Sequence, residues 1–200
     1  EAEISIRKGI SIKPNSSMMH NNLGTILRDQ GRIKDAELSI LKAIKLNPVS
    51  GLAYSNLGSI YIDLGEQTKA ELYLLKAISL NSRLIRPYYI LSTLVTSRKI
   101  SDWQEKLFSA EILISKTRKE KIDIYFARAN ILHKRREYRE SSFYLKKGNQ
   151  LKLSMIPSNG IKYQEKANKL LEKSNQIKLE ISSKFKELNQ EKFVFIVGMP

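Results

Sequence analysis

The chain contains no cysteine, one tryptophan, two histidines and five prolines in 200 residues. Without cysteine there can be no disulfide, thiolate zinc site or cysteine nucleophile, and the composition accords with a reducing compartment such as the cytoplasm. Neither His20 nor His133 has a carboxylate and a second histidine at ligand spacing, so no metal is expected. No apolar run reaches the roughly 18 to 20 residues that span a bilayer, and no hydrophobic segment follows a basic start as in a secretory signal. The expectation is a cytoplasmic protein with no membrane partner, although a signal ahead of Glu1 is left open. Acidic residues are scarce, 20 against 35 Lys and Arg, for a net charge of +15. Such an excess suits an anionic partner. Lysine, however, is abundant together with Ile, Asn and Ser, as in an AT-rich genome, and is spread over many helix faces. Nucleic acid is therefore not the expected partner, and the basic cluster from His133 to Arg139 reads as a solvated turn.

What is present is a repeat. HNNLGTILRDQGRIKDAELSILKAIKLNP from His20 and YSNLGSIYIDLGEQTKAELYLLKAISLNS from Tyr54 align without a gap at a spacing of 34. Leu23 pairs with Leu57, Gly24 with Gly58, Leu27 with Tyr61, Gly31 with Gly65, Ala36 with Ala70, Ile40 with Leu74 and Ala43 with Ala77. The spacing fits two antiparallel helices. In the first, positions four, seven, eight and eleven share a face at 3.6 residues per turn. Gly24 and Gly58 admit a close partner, the Ala-Ile/Leu-Ala stripe of the second helix receives it, and Gly31 and Gly65 suit the turn between. Pro48 closes a unit because it cannot continue a helix.

These residues resemble the tetratricopeptide repeat, which implies an all-α superhelix, a solenoid in which units bury their cores against neighbours. The register divides residues 1–152 into a half unit 1–16 and units 17–50, 51–84, 85–121 and 122–152. Ala2, Ile6, Gly9 and Pro14 belong to the half unit, and Tyr88, Leu91, Ser92 and Val95 to the third full one. That unit becomes irregular around KISDWQEKLF, where Trp103 is expected to fill core space. In the last unit Arg128, Ala129, Leu132, Arg136, Ser141, Leu145 and Gly148 occupy slots that favour Leu, Gly, Tyr, Gly, Ala, Phe and Ala.

After the breakers Pro157 and Gly160, residues 153–191 read as a linking segment. Its charged amphipathic helix, Ile161 to Asn189, has Leu170, Leu171, Ile177, Ile181, Phe185 and Leu188 on the expected buried face. The chain then closes on FVFIVGMP, Phe193 to Pro200. A short Val, Ile and Phe-rich run before turn residues reads as a buried strand, and a lone strand needs partners. With a first residue inside a helical pattern, the sequence is expected to be a fragment.

FARANILHKRREYRESSFYLKKGNQLK, the Pro-broken link, the charged helix and KFVFIVGMP together resemble the junction in bacterial proteins that join tetratricopeptide repeats to a sulfotransferase domain. That resemblance implies that residues 192–200 begin a truncated α/β, P-loop-like domain. It further implies a transferase, 3'-phosphoadenosine 5'-phosphosulfate as donor in the full-length protein, and a hydroxyl acceptor recruited by the repeats. Only Gly198, Met199 and Pro200, as lead-in to the 5'-phosphosulfate loop, would lie within this sequence. All catalytic residues would follow Pro200, so the fragment itself should be inactive and bind no donor. Two alternatives stand beside it: a Walker-type P-loop domain, since Gly-x-Pro can also open that loop, and a non-catalytic protein-interaction scaffold.

Asn22 and Asn56 share position six of their units, on the face that lines the concave surface of such repeats. An Asn amide offers both a donor and an acceptor to an extended peptide, and YSNLG is similar to the O-GlcNAc transferase superhelix, whose Asn ladder holds substrate backbone. These two residues are the candidate peptide-binding pair, against the alternative that they satisfy hydrogen bonds between repeats or face water. A chaperone-tail clamp is only partly supplied by Asn21, Thr25, Asn56, Arg86 and Ile90. His20 occupies the aromatic packing slot.

Overall fold

A computed structural model of the chain describes residues 1–94, 101–155 and 168–174. The chain divides into two units, Glu1–Lys152 and Leu153–Pro200. In the first, helices follow one another as α1 Ala2–Ile12, α2 Ser17–Asp29, α3 Ile33–Leu46, α4 Gly51–Asp63, α5 Gln67–Leu80, α6 Ile85–Leu94, α7 Asp102–Phe108, α8 Arg118–Lys134 and α9 Tyr138–Leu153. A 3-10 turn, Glu111–Leu113, separates α7 from α8.

Local chemistry sets the helix ends. Ser16 and Ser50, which are 34 residues apart, accept the backbone N–H groups of Met19 and Ala53 and so satisfy an orphan donor at the start of α2 and α4. Thr117 and Glu120 close a capping box at the start of α8. The Thr117 backbone N–H is the main reason that the Glu120 carboxyl lies below its ordinary value. Gly31 and Gly65 turn the chain from the first helix of a hairpin into the second at φ of 77° and 76°.

Packing within each hairpin depends on the absence of a side chain. A Cβ on Gly24 would stand 2.5 Å from Ile40 Cδ1, and one on Gly58 would stand 2.7 Å from Leu74 Cγ. Ala36, Ile40 and Ala43 in α3, and Ala70, Leu74 and Ala77 in α5, are fully buried. One core cluster runs from Leu23 to Ala70 through the first two hairpins, and a second runs from Leu74 to Ile131 through α6, α7 and α8. Each second helix also packs on the first helix of the next hairpin, α3 on α4 and α5 on α6, which makes the arrangement a solenoid.

The third hairpin departs from the pattern. Its second helix is the seven-residue α7, and Trp103 of that helix lies buried with its ring 6.3 Å from that of Tyr88. Burial pushes the Tyr88 phenol up to about 12, and its hydroxyl donates to the Ser82 carbonyl. In the last hairpin a glycine again supplies the close approach, now from the second helix: a Cβ on Gly148 would stand 2.7 Å from Phe126 Cε1.

The expected terminal strand needs correction. Every regular element among the described residues is helical, and no strand forms, so the fold there is all-α with no α/β element. The run Phe193 to Val197 lies outside the described residues. Its hydrophobicity was weak ground for a strand, because a five-residue apolar run carries no period that separates strand from buried helix. In the second unit, residues 168–174 are helical, and Leu170 and Leu171 are exposed rather than on a buried face. An amphipathic stripe marks which residues favour burial without supplying the surface that buries them.

Two substitutions test this packing. Gly58→Ala gains helix propensity of about 1 kcal/mol. It must also displace the buried Leu74, and overpacking of this kind costs about 1–3 kcal/mol, so the expected outcome is a lower Tm on thermal denaturation followed by circular dichroism. Arg136 occupies the turn slot of the last hairpin at φ of 67° and is exposed. Since a left-handed conformation costs a non-glycine residue about 1–2 kcal/mol, Arg136→Gly is expected to raise Tm in the same measurement.

Candidate interaction surface

Side chains join the first helices of neighbouring hairpins, α2 to α4 and α6 to α8. Asn56 Nδ2 in α4 donates to Asn21 Oδ1 at 2.9 Å and to Thr25 Oγ1 at 3.4 Å in α2. Two turns further on, Arg28 forms a two-pronged ion pair with Asp63. Between α6 and α8, Asn130 Nδ2 donates to Ser92 Oγ at 3.1 Å and Lys134 Nζ to the Thr93 carbonyl at 2.6 Å. Burial lowers the Lys134 ammonium from its ordinary value and raises the Asp123 carboxyl, the latter opposed by Lys119 and Arg86. The result is a polar surface fixed by bonds between repeats.

On this face the two candidate asparagines differ. Asn56 is half-buried and committed through its amide N–H₂ to Asn21 and Thr25. Asn22 is exposed and makes no hydrogen bond among the described residues. The residue brought to Asn56 is Asn21, one position earlier, which is buried. The Asn21-Asn22 doublet was the signal for it, but a linear register could not say which amide turns toward the neighbouring repeat. Gly198, Met199 and Pro200 lie outside the described residues.

Aromatic side chains pack between the two helices of the second hairpin. Tyr73 stacks on Tyr54 at 6.2 Å and on Tyr61 at 5.3 Å, and the Tyr61 hydroxyl donates to Glu37 at 2.6 Å. Burial, with the Glu37 carboxylate beside it, pushes the Tyr61 phenol well above its ordinary value. His20, in the slot that Tyr54 occupies one repeat on, donates from Nε2 to the Pro14 carbonyl at 2.8 Å.

Arg128 stands in a slot of the repeat that favours an apolar residue. It is 5% exposed, and its guanidinium donates to the carbonyls of Leu107 and Ser109, both at 2.8 Å. These acceptors lie at the end of α7, so the charge caps carbonyls that the short helix leaves open. Phe108 and Tyr144 hold its faces at 5.7 and 5.3 Å. Arg135, from the cluster expected to be a solvated turn, is half-buried and donates to Oε1 of the buried Gln104 at 2.6 Å.

With this geometry in view, known proteins give a consistent answer. Residues 19–50 and 52–83 match the tetratricopeptide repeat. Two crystal structures of MamA are similar to the chain. One has a TM-score of 0.55 and 26% identity over 76% of this chain and 87% of that one; the other has 0.54 and 25% over 75% and 80%. A tetratricopeptide repeat protein from Parabacteroides merdae is similar at a TM-score of 0.56 and 23% identity, over 93% of this chain and 72% of that one, and shows the fold alone. No curated protein matches the chain.

The resemblance to repeat-linked sulfotransferases is therefore overturned. The matching family is the repeat itself, one of the similar structures is a tetratricopeptide repeat protein, and the described residues contain neither a strand nor a phosphate-binding loop. With it fall the transferase activity and the phosphosulfate donor, and with them the Walker-type alternative, while Gly198, Met199 and Pro200 lie outside the described residues. Among the described residues no group of three or more His, Asp or Glu is arranged to hold a metal, and no helix is long and apolar enough to cross a membrane. The junction resemblance rested on helices whose sequence follows from repeat packing, so it carried no information about chemistry beyond them.

Arg128 yields a test that runs against the repeat consensus. Arg128→Leu restores the favoured residue at that slot, yet it removes two charge-assisted hydrogen bonds and leaves the end of α7 uncapped. A loss of about 2 kcal/mol in urea denaturation is expected, since hydrogen bonds to charged groups contribute about 1.5–3 kcal/mol.

Proposed function

We propose that this chain is a non-catalytic protein-interaction scaffold of the cytoplasm, whose first-helix face holds an extended peptide. The observation that carries the reading is the set of hydrogen bonds joining α2 to α4 and α6 to α8, which holds polar side chains of neighbouring first helices in place. A pre-ordered surface loses little side-chain entropy when it takes a partner. The match of two units to the tetratricopeptide repeat supports it.

Within that face, Asn22 offers a free amide, able to donate and accept at one peptide group. Asn56 contributes its Oδ1 as an acceptor while its N–H₂ group remains on Asn21. The two asparagines thus divide the work: one is a ligand, and the other is both a ligand and a strut between repeats.

Peptides selected from a displayed random library against the intact chain, then titrated by fluorescence anisotropy, give the test. Asn22→Ala should weaken the selected peptides about tenfold with Tm unchanged. Asn56→Ala should weaken them too and also reduce stability by about 1 kcal/mol, the usual net value of one hydrogen bond. Selected peptides that bind both variants as tightly as the parent chain would refute the reading.

A further inference from the structure

An open groove lies between α1 and α3, with a volume of about 410 Å³. Ile10 and Leu23 floor it together with the half-buried His20, Leu38 and Ser39 form one wall, and Arg7 and Lys42 stand on the rim. Advancing the sequence by 34 residues gives the equivalent place between α3 and α5, where His20 becomes Tyr54, Ser39 becomes Tyr73 and Lys42 becomes Lys76. There the ring of Tyr73 stacks on that of Tyr54 at 6.2 Å. The same backbone frame is thus filled by an aromatic ring in one interval and lacks it in the other, where serine replaces tyrosine.

The rim has a sign. Both charged residues lining the groove are cationic, and no carboxylate lines it. Arg7 is paired with Glu3, whereas Lys42 forms no ion pair among the described residues. Glu3, the nearest acid on α1, is already held by Arg7 and Arg32. Leu38, 67% exposed at the lip, adds apolar surface that nothing in this unit covers.

The geometry points to a second docking site, in which an aromatic side chain from an acidic partner peptide enters the groove and supplies the ring that Ser39 lacks. The ring lies over Leu23 and Ile10 against His20, as Tyr73 lies against Tyr54, and acidic residues beside it meet Lys42 and Arg7 at the rim. Aromatic anchors entering a preformed pocket are the side chains that most often dominate recognition, and the opposite charges select among aromatic segments. The groove shares no residue with the Asn22 and Asn56 pair, so either site can fail alone.

The probe is a fluorescently labelled peptide with one tyrosine between two runs of glutamate, titrated by anisotropy against the intact chain. Ser39→Tyr fills the groove from within using the residue that the next repeat carries there. It should weaken the probe about tenfold or more with Tm unchanged or raised. Lys42→Glu should weaken the same probe and bind better a version with lysines in place of glutamates, which keeps the test alive if the tyrosine variant misfolds. Asn22→Ala should leave the probe unaffected, separating this site from the other. The proposal is overturned if the tyrosine variant binds as the parent does, or if a probe with alanine in place of tyrosine binds equally well. It is also overturned if Ser39→Tyr alters only the oligomeric state seen by light scattering, which would make the groove a contact between copies of the chain.

Discussion

Everything in the repeat unit depends on how near two helices can come where one of them has no side chain. Gly24 lies against Ile40 and Gly58 against Leu74 at distances that leave no room for a methyl group. This approach brings the Ala36 to Ala43 and Ala70 to Ala77 stripes into full burial. It also fixes the angle at which one hairpin meets the next, because each second helix must pack on the following first helix as well as on its own. Interiors packed to crystal density transmit such a local condition along the array. The hydrogen bonds between first helices, and the groove between α1 and α3, are downstream of it.

The third hairpin shows what happens when that condition lapses. Its second helix shrinks to α7, and the structure compensates with charge. Arg128 closes the end of α7, while Arg135 meets the buried Gln104. A buried guanidinium is tolerated here because carbonyls and aromatic faces surround it. The long basic side chains that raise the net charge to +15 are thus partly structural, and the charge total by itself was a poor guide to an anionic partner.

The helical hairpins were legible because two gapless units impose the same small, large and glycine residues at the same offsets. The positive-φ turns at Gly31 and Gly65 followed from residue type. The candidate site was only half legible. Register placed Asn22 and Asn56 at one position of the repeat, yet Asn56 turns toward Asn21, a choice made by helix rotation and the neighbour's side chains. The α/β enzyme reading failed for a different reason. A short apolar run and a turn-forming tail have no period, and no strand forms among the described residues, so a likeness at the junction stood in for a physical constraint.

The sequence alone determined that residues 17 to 80 form two like hairpins, because a spacing of 34 with matched glycines admits few other packings. It also determined the absence of thiol chemistry. Only tertiary structure decided that Arg128 serves a helix end, that one of two equivalent asparagines is tied to a neighbour, and that replacing a tyrosine pair with His20 and Ser39 leaves a groove. The physical reason is common to all three. Burial and hydrogen-bond partners belong to pairs of segments, and a linear pattern specifies each segment's own face without naming what will stand across from it.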